Sequence, residues 1–412
     1  MESRVGSNQL QASAPGLGFR RQVAGVGLAV ALYLLQVNRA LAEDHVDYRY
    51  EHYREEGGRM GVDTHALLFG VQLMPWLSLQ GEAVYDGISG ATPTGAPPAT
   101  DIKVPFPPPG PYNSTVPLTH MEDKRYAGNI EAAMTFGPHH FTPQFAYSEE
   151  SDYISYGAAL NYALDLNGKN TTLNLGWAHD FDTILATPFT YIYKKQDKNT
   201  DNFLVGVNQL LSPQTVLTAN FTFRNSHGYQ DDPYRGVLFS DYPQADLNNP
   251  ILFGEHRPDF RQSYIPYASV LQFVTPLNGA VEGSYRFYDD SFGIRAHTID
   301  IRWHQKIGRM FLISPVFRYY RQTAADFYGS QFAGDPSNPG DPTPVPTYYS
   351  ADYRLSKMET FTFGIEASAR ITEWLTLDVA YKRYEMRGLD GVTSQSAYPK
   401  ANVVTVGARL WF

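Results

Sequence analysis

Six of the 11 histidines, His65, His120, His179, His227, His256 and His297, fall among abundant serines in loops or near the ends of extended segments. A hydrolase or protease built from them needs a hydroxyl nucleophile within hydrogen-bond reach of a histidine base. No spacing marks a Ser–His–Asp set, so the sequence points to no enzyme and no catalytic residue. His139-His140 is a bare pair on a tight turn, and zinc needs further ligands. Asp231-Asp232 and Asp335 lack the regular oxygen spacing of a calcium loop. The chain has no cysteine, which excludes disulfides, thiolate metal sites, cysteine nucleophiles and a lipoprotein anchor. No G-x-x-x-x-G-K-[ST] phosphate cradle occurs. The expectation is no metal and no cofactor.

The other chemistry-bearing set is ionic. Arg49, Glu51, Glu82, Asp86, Glu131, Arg224, Arg286, Arg302, Arg318, Glu366, Arg370, Asp378 and Lys382 alternate with apolar neighbours, as do Asp47, Asp165, Asp180, Glu282, Asp300, Arg125 and Arg409. Charges cannot face lipid cheaply, so these residues are expected to line a wet interior. A selective filter usually carries a ring of one sign, whereas the two signs here nearly balance. Cross-strand ion pairing therefore accounts for most of them, with a solute-selecting pore as the functional reading.

The elements that must position these charges are strands. Phe361, Phe363, Ile365, Ala367, Ala369 and Ile371 interleave with Thr362, Gly364, Glu366, Ser368 and Arg370, a period of two. Seven short turns are predicted, at Leu73–Trp76, Gly137–His140, Asn167–Asn170, Leu211–Gln214, Thr275–Gly279, Ile307–Arg309 and Thr372–Trp374. Between them lie long connections rich in Pro, Gly, Asn and Asp, about Gly87–Glu122, Thr183–Thr200, Ser226–Arg261, Thr323–Asp352 and Arg387–Lys400, and tight tips at Glu55–Gly58 and Asp289–Ser291. Short turns alternating with long loops are the pattern of an all-β transmembrane antiparallel barrel, with periplasmic turns and extracellular loops. Seven hairpins and one strand at each end predict about 16 strands, the first beginning near His45. The stripe Val404, Val406, Ala408, Leu410, Phe412 ends on an aromatic residue and resembles the signal read by the barrel-assembly machinery. The last strand is expected to pair with the first and remove the sheet edges.

Composition agrees. The chain carries 29 Tyr and 24 Phe, and only 18% of residues are charged. Such aromatics suit membrane interfaces. A mean hydropathy of −0.34 argues against membrane-spanning helices but suits a barrel with a wet lumen. Arg20-Arg21, the apolar run Val23 to Leu35 and Ala40-Leu41-Ala42 predict a signal peptide over residues 1–42, cleaved before Glu43, with the barrel over 43–412. The net charge of −9 becomes −12 on residues 43–412, because the leader carries +3. That balance disfavours nucleic acid as a partner.

The first long loop reads Ile88-Ser89-Gly90-Ala91-Thr92-Pro93-Thr94-Gly95, then Ala96-Pro97-Pro98. Its glycines permit unusual dihedrals and its prolines stiffen the path, so it is either a constriction folded into the lumen or a rigid surface loop. This I-S-G-A-T-P-T-G stretch, with Asp47-Tyr48-Arg49-Tyr50, Tyr53-Arg54-Glu55 and Leu79 to Asp86, resembles the Gram-negative family DUF3570 from about residue 44 to Phe412. The resemblance implies an outer-membrane barrel of no established activity, with a link to periplasmic redox proteins, and brings no functional residues with it.

The expected function is a porin-like passive channel for small hydrophilic solutes in the bacterial outer membrane. Strands begin too soon after Glu43 to leave room for a plug domain. The alternative is a non-conducting barrel that docks a periplasmic or surface partner, possibly redox-linked. Expected partners are outer-membrane lipid, the assembly machinery during biogenesis, and those solutes or that partner.

Overall fold

A computed structural model describes residues 44–185, 195–338 and 340–412. The leader predicted over residues 1–42 lies outside them. The strands are β1 (His45–Glu55), β2 (Gly61–Met74), β3 (Leu77–Pro93), β4 (Leu118–Phe136), β5 (His139–Glu149), β6 (Tyr153–Leu166), β7 (Thr171–Ile184), β8 (Gln196–Ser212), β9 (Thr215–Gly228), β10 (Gly236–Val237), β11 (Phe253–Gly254), β12 (Phe260–Val274), β13 (Gly279–Asp290), β14 (Arg295–Ile307), β15 (Phe311–Gln322), β16 (Met358–Arg370), β17 (Leu375–Gly388) and β18 (Lys400–Trp411).

Sixteen of them form one closed antiparallel barrel; β10 and β11 pair with each other in the loop between β9 and β12. Closure occurs between β1 and β18, from His45 opposite Trp411 to Glu55 opposite Ala401. All seven predicted turns join consecutive barrel strands at one end, where β1 also begins and β18 ends. An eighth connection at the long-loop end, Glu150–Asp152, is missing from the sequence reading because it holds no Gly or Pro.

The first of the expected loops is partly strand. Gly87–Glu122 was expected to be irregular throughout, but β3 continues to Pro93 and β4 starts at Leu118, paired up to Pro93 opposite Leu118. Gly90 reads as a breaker, yet its φ of +133° fits here because the Arg59–Met60 backbone presses against it; a Cβ would sit 2.5 Å from Arg59 O.

The period-2 pattern sorts the two faces of the wall. Outside, Leu67, Ile130, Leu160, Leu175, Val205, Val270, Ile301, Ile365, Val379 and Val406 are exposed. Aromatic contacts flank this apolar band. Trp76 stacks on Phe136 and Phe141 meets Tyr162 at the turn end; Tyr85 meets Tyr126 and Tyr147 meets Tyr156 nearer the loops.

Candidate functional site

The register carries one set of side chains around the inner face. Directly opposed residues share a face, so the row through Thr64, Asp86 and Arg125 and the row through Tyr267, Arg286, Thr298 and Tyr320 both point inward. All 13 candidate lining residues fall on this inner face. Several meet as ion pairs: Asp86 with Arg125 at 3.2 Å, Arg302 with Glu366 at 3.4 Å, Lys382 with Glu366 at 2.8 Å and Arg318 with Asp300 at 3.6 Å. Glu51 accepts from Thr405 Oγ1 at 3.2 Å, and Glu82 from Asn129 Nδ2 at 3.4 Å. Glu131 is buried opposite Gln144. Gly407 separates Arg49 from Asp378, where an added Cβ would lie 3.3 Å from Arg49 Cγ and 3.6 Å from Asp378 Oδ2. Arg370 stands apart at the turn end, its Nη2 donating to Glu373 O at 3.3 Å.

Near the turn end the inner face holds two arrangements that no local spacing signals, because each is assembled across three strands. His304 lies between Ser314 Oγ (3.1 Å from Nδ1) and Glu282 Oε2 (3.3 Å from Nε2). His140 lies likewise between Thr135 Oγ1 at 3.1 Å and Asp165 Oδ2 at 3.0 Å. These are the partner types of a hydroxyl–histidine–carboxylate triad. Ser314, however, is buried in a strand paired on both sides, whose backbone N–H groups are taken up by the ladder rather than aimed at an oxyanion. The six histidines weighed for catalysis sit elsewhere: His65, His179, His227 and His297 are outward, against Tyr48, Asp201, Asn225 and Tyr285 respectively, His120 lies opposite Ala91 and His256 bridges to Tyr349.

At the other end, the long loops pack together over the mouth. Tyr353, between β15 and β16, joins a buried cluster with Tyr53, Val62, Ile88, Met121, Met358, Tyr384 and Met386 of the wall and Val116 and Tyr398 of other loops. The first long loop does not hang free: Ala99 and Ile102 pack on Leu238 and Leu247. Gly236 N donates to Thr94 O at 2.7 Å, and Arg235 donates to Pro93 O and Thr92 Oγ1. Gly95, at φ +104°, rests on Gly236, whose carbonyl oxygen would lie 2.1 Å from an added Cβ.

A buried ionic lattice ties these loops together. Arg354 pairs with both Asp352 and Asp232, and Arg257 Nη2 reaches Glu255 at 2.7 Å and Asp352 at 3.0 Å. Burial raises Asp352, but the Arg354, Arg235 and Arg257 guanidiniums outweigh it and hold the carboxyl below its ordinary range. Glu255 goes the other way: burial, opposed by Arg257 and reinforced by the nearby Asp352, Asp231 and Asp232, pushes it up to about 8. Among the described residues, Asp123, Glu150 and Asp152 could hold a cation, each with an oxygen within 4.8 Å of the others. Glu150 and Asp152 belong to the turn that sequence reasoning overlooked.

These features define a closed 16-stranded barrel with a polar, ion-paired interior and a loop-packed mouth. The chain belongs to the family described as protein of unknown function DUF3570, whose model matches residues 28–405. That match begins inside the predicted leader and stops before Phe412. No curated protein matches the chain. Similar solved structures include the siderophore receptor PirA from Acinetobacter baumannii (10% identity, 85% of this chain and 54% of that one, TM-score 0.41). A variant of the ferric enterobactin receptor PfeA from Pseudomonas aeruginosa shows 10% identity over 90% of this chain and 60% of that one, with a TM-score of 0.43. CdiB from Acinetobacter baumannii shows 10% identity, 91% and 61% coverage, and a TM-score of 0.47. The chain thus spans roughly three-fifths or less of these proteins' lengths.

Proposed function

We propose that this barrel spans the bacterial outer membrane and passes small hydrophilic solutes, with its packed loops restricting entry at the outer mouth. The observation that carries the reading is the contrast between the two faces of one wall. An exposed band of Leu, Ile and Val lies between aromatic zones outside, whereas ion pairs, amides and hydroxyls cover the inside. Lipid outside and water inside satisfy both faces; in water alone, so large an apolar band would drive aggregation. In this orientation the short turns face the periplasm and the long loops the exterior. The inner charges, from Arg49 and Glu51 around to Asp378 and Lys382, are the lining that solutes meet. Purified protein in planar bilayers should give discrete conductance steps, and a bilayer that stays silent at every voltage sinks the reading.

The second reading is a sealed barrel that docks a periplasmic or surface partner, including a redox-linked one. It is favoured by the cluster around Tyr353, which fills the mouth between β1–β4 and β15–β18 with apolar side chains. A stoichiometric co-purifying partner together with absent conductance supports it. Catalysis is not part of either reading.

A further inference from the structure

Most inward cations of the wall have a carboxylate at hand. Arg125, Lys198, Arg261, Arg302, Arg318, Lys382 and Arg409 each lie within 4.0 Å of one. Arg49 and Arg370 have none among the described residues, and neither do Arg224 and Arg286, which share one stretch of wall. Asp180 and Asp182 act on Arg224, and Asp300 on Arg286, from beyond contact distance; the side chains directly beside these two arginines in the ladder are uncharged. Arg224 stands between Asn202 and Ser263, with Thr222 and Ser226 two positions away along β9. Arg286 stands between Tyr267 and Thr298, with Ser284 and Tyr288 along β13. The Arg286 guanidinium carbon is 5.6 Å from the centroid of the Tyr267 ring.

Asn202 adds an independent observation. Arg224 Nε donates to Asn202 Oδ1 at 2.9 Å, which fixes the orientation of the amide, because the flipped form would set donor against donor. The amide nitrogen is then left buried with no acceptor, on a residue only 3% exposed. A buried donor without an acceptor and a guanidinium with no carboxylate in contact occupy neighbouring positions, and each carries an energetic penalty that an anionic oxygen relieves. The nearby acids act on Arg224 through space without touching it. Asp182 pairs with Lys198 at 2.9 Å, and neither it nor Asp180 lies within 4.0 Å of Arg224.

We infer that the wall formed by β8, β9, β12 and β13 carries an anion subsite, occupied by small carboxylates that bind Arg224 and the Asn202 amide. Arg286 provides a second station, four residues further toward the turn end, or roughly 13 Å along the strand direction. A carboxylate suits the first station because its two oxygens can take one guanidinium and one amide donor together. The hydroxyls of Thr222 and Thr298 give a hydrated anion neutral partners between the two arginines, while Ser263 is held by Tyr288 and Ser284 by Asp300. A guanidinium without its own carboxylate attracts an anion more strongly than a paired one, so these two positions, rather than the paired cations, set the preference of the lumen. This inference deepens the channel reading and rests on it for its role in transport, but binding at Arg224 does not require conductance.

Two measurements separate the two claims. Succinate is titrated into detergent-folded full-length protein by calorimetry, and the potassium-to-chloride permeability ratio is read from reversal potentials in planar bilayers. Wild type should bind succinate saturably. R224Q should weaken binding at least about tenfold, because a charge-assisted contact is lost, and R224Q/R286Q should raise the permeability ratio about threefold or more. R387Q, at the Arg387–Glu385 pair near the loop end of β17, serves as control and should change neither. Gel heat-modifiability confirms that each variant has folded. A silent bilayer with R224-dependent succinate binding overturns the channel but keeps the subsite. Absent succinate binding, or binding indifferent to R224Q, overturns the subsite whatever the conductance.

Discussion

Asp47 on the first strand and Arg409 on the last hold each other across the closing seam, Arg409 Nε donating to Asp47 Oδ1 at 2.6 Å, with the guanidinium also over the Trp411 ring at 4.9 Å. Asp47 is only 2% exposed. Replacing Arg409 leaves that carboxylate buried and without its charge partner, a loss worth about 3–5 kcal/mol for a fully buried pair and somewhat less for this part-exposed arginine. R409A should therefore lower the temperature at which the folded band converts to the unfolded one on a gel, and D47N should lower it less. Equal melting of R409A and wild type would show that the ladder alone closes the seam.

The loop lattice makes a separate prediction. Arg354 bridges Asp232 and Asp352 from two different loops. In R354A both acids lose that charge while buried, so the mouth should loosen while the wall stays intact. Limited proteolysis should then cut within residues 323–357 at least about tenfold faster, since breaking such a pair costs about 3–5 kcal/mol. The heat-modifiability of the barrel should change little.

Glu255 gives the same lattice a pH dependence. Its carboxyl is raised to about 8 in the folded loops, chiefly by burial. A group whose folded pKa exceeds its unfolded value binds more protons when folded, so its contribution is fully present below the unfolded value, around pH 4.5, and is lost as pH rises through the folded one. Protease protection of the mouth should accordingly fall between pH 5 and pH 9. E255Q should flatten that slope. Asp352 acts oppositely, but its lowered pKa confines its effect to more acidic conditions.

Phe412 is 73% exposed, and its amide nitrogen donates to Asp44 O at 2.9 Å. Its side chain therefore adds little to the packing of the finished barrel. If its role is recognition during assembly, F412A should reduce the amount of barrel in the outer membrane several-fold and leave the melting temperature of the purified protein unchanged. A matched fall in both would assign Phe412 to stability instead.

The wall was largely legible in the sequence, because lipid and water impose a period of two on every strand and turns must interrupt it. His45 as the start of β1, the seven hairpins and the pairing of β1 with β18 all follow from that rule. The interior was legible only as a set of residues. That Arg302 finds Glu366, that His304 finds Ser314 and Glu282, and that Arg224 finds no carboxylate depend on stagger between strands, which alternation does not encode. The mouth was least legible. Its contacts join residues as distant as Thr94 and Gly236, and the Gly90 and Gly95 motif reveals its purpose only when the backbones it touches are in place.

The overhang of β3 and β4 has a consequence of its own. The last β2 partner of β3 is Ser89, opposite Gly61, so Gly90 to Pro93 extend past the rim with one flank lacking a neighbouring strand. A cylinder abolishes free edges, but this ribbon opens a short new one, and such an edge invites pairing with another molecule. Arg235 and Gly236 cover it by taking the carbonyls of Pro93 and Thr94. A protease that nicked the loop between β9 and β12 would thus uncover an adhesive ribbon, and neighbouring copies would then cross-link edge to edge while their walls stayed folded.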